Sequence, residues 1–216
     1  MTQNLLNVDR HPQTQLRKPI CLLGKIQSGK TRCMIGVIAQ AFNHGIKQIV
    51  VLTKKSTLLR KQTTRRIARE INTLPSGKSV KIDYITNINT EHILQKAEPS
   101  ERRIIVGIKH HSNVNKIYRF LVESNPQLKD HEILIIDDEA DISSIGYRKV
   151  TENALTPNQQ SYESQTRDEQ LLVAEQISQL RHAFENHYYL QVTAMPASIF
   201  LQPEDLIRRL VGCGEQ

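Results

Sequence analysis

Two short stretches hold residue types whose spacing could do chemistry on a nucleotide. Residues 21–31 read Cys-Leu-Leu-Gly-Lys-Ile-Gln-Ser-Gly-Lys-Thr, in which Gly24, Gly29, Lys30 and Thr31 match G-x-x-x-x-G-K-[ST], the Walker A pattern. Glycines there let the backbone fold tightly, so that successive N–H groups point at one anion. Lys30 would reach the β- and γ-phosphates of ATP, the Thr31 hydroxyl would hold Mg2+, and a helix starting at this point would add the positive end of its dipole. The second stretch is Ile133-Leu134-Ile135-Ile136-Asp137-Asp138-Glu139-Ala140-Asp141, an apolar run that ends in acids, as a Walker B strand does. One such carboxylate can hold magnesium, usually through water, and the next can orient and deprotonate an attacking water. Asp138 is the candidate for the first role and Glu139 for the second. The candidate nucleotide-binding set is therefore Gly24, Gln27, Ser28, Gly29, Lys30, Thr31 and Asp138, with Thr31 and Asp138 at the metal.

Each stretch has a plainer reading. The first could be a glycine turn joining strand to helix, and the second a strand ending in a solvated acidic turn. Context favours the chemistry. Ile20–Leu23 suits a buried strand, and residues 32–42 are a mostly apolar helix that stops at Asn43-His44-Gly45. The run Gln48–Thr53 is apolar until it turns polar at its end, as expected for a central parallel strand covered on both faces.

Ser56 is a candidate cap for the next helix, Leu58–Ile71, with Leu58, Leu59, Ile67 and Ile71 as its apolar anchors. That helix and the residues before it carry the densest basic cluster. Lys54, Lys55, Arg60, Lys61 and Arg65 are the candidate nucleic-acid contacts, set against the alternative of a solvated helix face. Val80–Ile85 alternates as a strand near an edge, and Thr90 opens a short helix to Lys96. Arg103–Ile108 is another buried strand. The polar loop Lys109–Asn113 follows, then a helix to about Ser124. Residues 146–168 read as a mobile loop, Asp168–Asn186 as an amphipathic helix, and Tyr188–Thr193 as the last strand. Pro203 suits the start of a final short helix.

Strands alternating with helices predict an α/β fold, a mostly parallel sheet with helices on both faces. Ligands of such sheets bind at the carboxyl ends of the strands. The phosphate loop, the acidic segment and residues 193–196 all follow strands, so they fall on one rim.

With 216 residues, the chain is long enough for one ordinary domain. A net charge of +7 favours a polyanionic partner, most simply nucleic acid. The three cysteines form no C-x-x-C pair. Cys21 and Cys33 lie in apolar elements and read as buried thiols of a reducing compartment. The eight histidines show no metal-ligand spacing. The first residues lack an apolar signal-peptide core, and no apolar run approaches a membrane span, so an intracellular, cytoplasmic protein is expected.

Asp138-Glu139-Ala140-Asp141 spells the DEAD motif of superfamily-two helicases and translocases, and Gly24–Thr31 resembles their motif I. Val192-Thr193-Ala194-Met195-Pro196 looks like motif III, and Leu52-Thr53 sits where motif Ia falls. The narrower resemblance is to the Z-one domain family, which carries an endonuclease label and is found with restriction systems. Gln27–Thr31 and Ile136–Asp141 carry that likeness. The resemblance implies that residues 19–216 form a first RecA-like lobe behind a polar tail of residues 1–18. It implies ATP and Mg2+ as cofactors, and nucleic acid as partner, with DNA favoured over RNA. It also implies that Asp141 contacts Thr193 and couples the nucleotide state to the rest of the motor.

Two departures stand out. Met195 replaces the usual hydroxyl residue of motif III, and the stretch from Thr193 to Gln216 reads as too short for the second lobe that is expected to supply an arginine finger. Gln13 and Gln15 are the candidates for an adenine-selecting glutamine. The expectation is a helicase-like ATP hydrolase lobe that needs a second lobe or partner. Two alternatives stay open: a nucleotide-gated nucleic-acid-binding module without turnover, and a small-molecule P-loop kinase, which the DEAD sequence speaks against.

Overall fold

The computed structural model describes residues 19–24, 29–54, 56–73, 80–84, 97–140 and 157–194, with backbone alone for 57, 59, 84 and 157–168. Among the described residues, six strands form one sheet: β1 (Ile20–Leu23), β2 (Gln48–Thr53), β3 (Lys81–Tyr84), β4 (Arg103–Ile108), β5 (Ile133–Asp138) and β6 (His187–Thr193). Their order is β1-β6-β5-β2-β4-β3 and every pairing is parallel. The expected edge position of the Lys81–Tyr84 strand holds. The central strands β2, β4 and β6 are buried along their whole length, as continuous apolar runs between two helical layers must be.

Helix α1 (Lys30–Asn43) and helix α2 (Thr57–Ile71) cover one face of the sheet. Met34, Ile35 and Ile38 of α1 and Ile67 and Ile71 of α2 pack there on Val51, Val106, Leu134, Ile136 and Leu190. Helix α3 (His111–Tyr118), which continues as a π-helical turn through Ser124, covers the other face together with α4 (Pro157–His182). Val114, Ile117, Val173, Ile177 and Leu180 meet Leu52, Ile105, Ile133, Ile135 and Tyr189 on that side. Alternation along each strand divides its side chains between these two cores.

Helix α1 ends as its glycine stop requires. Gly45 adopts φ +95°, its N–H donates to Phe42 O at 3.2 Å, and Ile46 N–H donates to Ala41 O at 3.0 Å. Helix α4 begins at Pro157, eleven residues before the expected Asp168 (168 − 157 = 11), so the second half of the expected 146–168 loop is helical. Proline lacks an N–H and has a preset φ, and both suit a helix's first turn. The short helix expected after Thr90, the tail 1–18 and the helix after Pro203 lie outside the described residues.

Two expectations about burial fail. Cys21 and Cys33 are exposed. Cys21 lies on the edge strand β1, whose alternate residues face outward, and Cys33 lies on the outer side of α1 beside the inward Met34. On α2 the inner stripe is Arg60, Ile67 and Ile71, with Leu58 65% exposed. A spacing of seven and then four residues puts Arg60 on the same stripe as the two isoleucines.

Candidate functional site

Both sequence stretches lie on the rim at the carboxyl ends of the strands, one on each flank of β6. Gly24 follows β1, and its N–H donates to Thr193 O at 3.2 Å. Gly29 stands at the start of α1 with φ 83° and ψ 17°, a left-handed conformation open to glycine at little cost. Its carbonyl accepts from Cys33 N–H at 3.1 Å and so begins the helix. Lys30 follows at once, and its ammonium donates to Gly24 O at 2.9 Å. Thr31 is half-buried on the next position of α1. Gln27 and Ser28 lie outside the described residues.

The acids at the end of β5 are sorted by alternation. Leu134 and Ile136 belong to the α1 side of the sheet, so Asp138, two residues on, projects to that same face, the one from which Lys30 and Thr31 start. Asp137 projects to the opposite face and is fully buried. Its Oδ2 accepts from the Tyr189 hydroxyl at 2.7 Å, and its Oδ1 lies 3.1 Å from Lys109 Nζ. Burial, with the neighbouring Asp137 charge adding to it, holds the Tyr189 phenol well above its usual range, so it is a neutral donor.

Burial, then the charge of Glu139 beside it, raises Asp138 to about 6. Glu139 itself has φ 54°, the one non-glycine residue with positive φ among the described residues. For a residue with a Cβ this conformation is uncommon and is kept where the surroundings over-determine it. Ala140 N–H donates to Val192 O at 2.9 Å, and Lys109 Nζ donates to Glu139 O at 2.5 Å, one contact on each side of the turn.

Other sequence-predicted residues fall less uniformly. Thr193 is fully buried at the end of β6. Asp141, its expected coupling partner, lies outside the described residues, as does Lys55. Lys54, read as a nucleic-acid contact, stands at the end of β2 with Nζ 3.8 Å from Glu139 Oε2. Both side chains are partly open to solvent, so this pair adds little stability. Lys61 and Arg65 are exposed along α2, whereas Arg60 is 4% exposed and faces the sheet.

Sequence reasoning passed over Lys109. It stood in an expected polar loop, yet Lys109 is 2% exposed, Asn113 is fully buried, and the helix already starts at His111. The available signal was its position, directly after an apolar parallel strand and hence on the ligand-facing rim.

The residues present fit a nucleotide-bound magnesium ion. Among the described residues, no group of three or more His, Cys, Asp or Glu could hold a metal. Magnesium at phosphates needs no such group, since one or two carboxylates, a hydroxyl, water and the phosphates themselves suffice. Thr31 at the start of α1 and Asp138 on the same face of the sheet would supply that donor set.

An all-parallel sheet between two helical layers, with a glycine-led helix opening beside an acidic strand end, defines a RecA-like P-loop NTPase fold, that of superfamily-two helicase cores. The model of the family described as type III restriction enzyme, res subunit, matches residues 15–198, and the chain belongs to that family. It is thereby a helicase-like ATPase domain of the superfamily-two type; the match does not reach to the narrower Z-one resemblance.

No curated protein matches the chain. Among solved structures it is similar to the Sulfolobus solfataricus SWI2/SNF2 ATPase core in complex with dsDNA, at 15% identity and a TM-score of 0.46, over 91% of this chain and 32% of that one. It is also similar to the C-terminal domain of a possible DNA helicase from Lactobacillus plantarum WCFS1, at 9% identity and a TM-score of 0.42, over 95% of this chain and 89% of that one. The chain thus spans about a third of the first of these structures. No helix among the described residues is long and apolar enough to cross a membrane.

Proposed function

We propose that this chain is the ATP-binding, magnesium-dependent lobe of a superfamily-two motor that acts on nucleic acid, DNA rather than RNA, in a restriction or defence setting. The observation that carries the reading is the shared face. Lys30 and Thr31 open α1 on the side of the sheet to which Asp138 projects, while Glu139 turns off the strand end beside them. Lys30 binds phosphate, with Gly24, Gln27, Ser28 and Gly29 as the cradle. Thr31 and Asp138 hold the metal, which neutralises charge on the phosphates when bound. Glu139 orients the attacking water and takes its proton. Asp141 and Thr193 relay the nucleotide state, and Lys54, Lys55, Lys61 and Arg65 form the basic edge that meets the phosphate backbone.

An arginine finger from a second lobe or a partner is worth roughly 10³–10⁵ in rate, so hydrolysis by the chain alone is slow. Titration with a fluorescent ATP analogue, with and without Mg2+, tests the binding half. Single-turnover hydrolysis by wild type and Glu139→Gln tests the chemical half. Magnesium-dependent binding and a hydrolysis rate lowered about 10²–10⁴-fold by Glu139→Gln support the proposal. Unchanged ATP consumption in that variant leaves a nucleotide-gated binding module, and absence of binding removes both.

A further inference from the structure

Lys109 is a fully enclosed cation on the sheet face opposite α1. Burying an ammonium is costly unless it is paired and hydrogen-bonded. Its ion pair with Asp137 at 3.1 Å meets the first need, and its hydrogen bond to Glu139 O meets the second. Asp137 is held in turn by the Tyr189 hydroxyl, and the Arg181 guanidinium lies 4.5 Å over the Tyr189 ring. A polar chain, buried from Tyr189 onward, therefore runs from α4 through β6 and β5 to the end of β4. It terminates on the carbonyl of Glu139, the residue whose backbone is left-handed.

We infer that Lys109, seated by Asp137, is a positioning residue that holds the acidic turn in the conformation from which the Glu139 carboxylate acts. The inference rests on Glu139 being the water-orienting residue, and it assigns Lys109 no contact with nucleotide. A neutral donor at this site could satisfy the carbonyl. The buried charge pair adds a fixed seat, because Asp137 is itself gripped from the far side by Tyr189. The lysine backbone is anchored as well, its N–H donating to Thr53 O at 2.8 Å at the end of β2.

The test uses the full chain, with hydrogen exchange at Ala140 as the first readout, since that amide closes the turn on β6. In Lys109→Met/Asp137→Asn, which removes both charges together, Ala140 should exchange faster while amides of α1 stay protected. Single-turnover hydrolysis should fall about 10- to 100-fold, the range seen when a group that orients a site residue from behind is removed, with affinity for the fluorescent ATP analogue unchanged. Should that variant fail to fold, Lys109→Arg decides. It keeps the ion pair, but a planar guanidinium cannot direct its donors as an ammonium does, so exchange and hydrolysis should shift in the same direction.

Wild-type exchange at Ala140 in either folded variant overturns the inference. So does a loosened turn with unchanged hydrolysis when Glu139→Gln is inactive. If Glu139→Gln hydrolyses normally while Lys109 variants still loosen the turn, Lys109 keeps its place as the anchor and the role of Glu139 in catalysis is what falls.

Discussion

The N–H of Gly24 donates to the carbonyl of Thr193 at 3.2 Å, across 169 residues of chain (193 − 24 = 169). The bond extends the β1–β6 ladder, in which Leu23 pairs with Thr193, by one step into the start of the candidate phosphate loop. On the other side of β6, Val192 pairs with Asp138 and accepts from Ala140. One strand end thus carries the phosphate loop on one flank and the acidic turn on the other. A shift of β6 along its axis would move both, which is the physical basis for reading Thr193 as a coupling residue.

Lys30→Met should abolish most nucleotide binding and leave the fold intact. Lys30 is half-buried, and its ammonium donates to the Gly24 carbonyl on the rim. Loss of a charge-assisted contact to phosphate corresponds to roughly 10- to 100-fold in affinity. Fluorescent-ATP titration and a melting curve, run side by side, check it. A large fall in Tm with no change in affinity would reverse the assignment.

Magnesium-nucleotide binding should weaken as pH falls through about 6, the value to which burial and Glu139 raise Asp138. Below it, a proton competes with the metal for the carboxylate. Stability without ligand responds in the opposite sense. The folded state binds this proton more tightly than the unfolded state does, so Asp138 contributes stability as pH drops from about 6 toward 3.8, and loses it as pH rises. Melting curves across this window should show the ligand-induced rise in Tm shrinking at the acid end. A rise that is independent of pH would remove Asp138 from the metal site.

The basic helix α2 should divide into two kinds of residue. Lys61→Ala and Arg65→Ala remove exposed charge, so each should leave Tm unchanged and lower the slope of log affinity against log salt for DNA by about 1. Arg60→Ala empties a site that is 4% exposed, and it should cost about 1–3 kcal/mol of stability. Equal effects of all three on DNA affinity, with none on Tm, would show that Arg60 turns outward to the nucleic acid.

Gly29→Ala should destabilise the loop without a collision. Among the described residues a Cβ there meets no atom within 4 Å, so the penalty comes from φ 83°, roughly 1–2 kcal/mol for an L-residue in the left-handed region. The measurable result is weaker nucleotide binding with the rest of the sheet as resistant to denaturant as before. An affinity equal to wild type would mean that the loop can bind in another conformation.

The amino-acid sequence by itself determined the order of the described strands and helices, the boundaries of β1, β2 and β4, and the two stretches that lie on the rim. These are local properties. An apolar run, a glycine stop and a phosphate-loop spacing each lie within a few consecutive residues, and parallel strands must end on the same side.

The tertiary structure decided what depends on neighbours far away in the chain. It set the order β1-β6-β5-β2-β4-β3, which places β6 between the phosphate loop and the acids. It separated Asp138 from Asp137 by the face that each takes, because only the packed helices distinguish the two sides of a strand. It turned Arg60 inward, exposed Cys21 on an edge, and drew Lys109 out of an apparent polar loop into the core. A side chain's burial depends on what packs against it, and for these residues the packing partners come from elements tens of residues away in sequence.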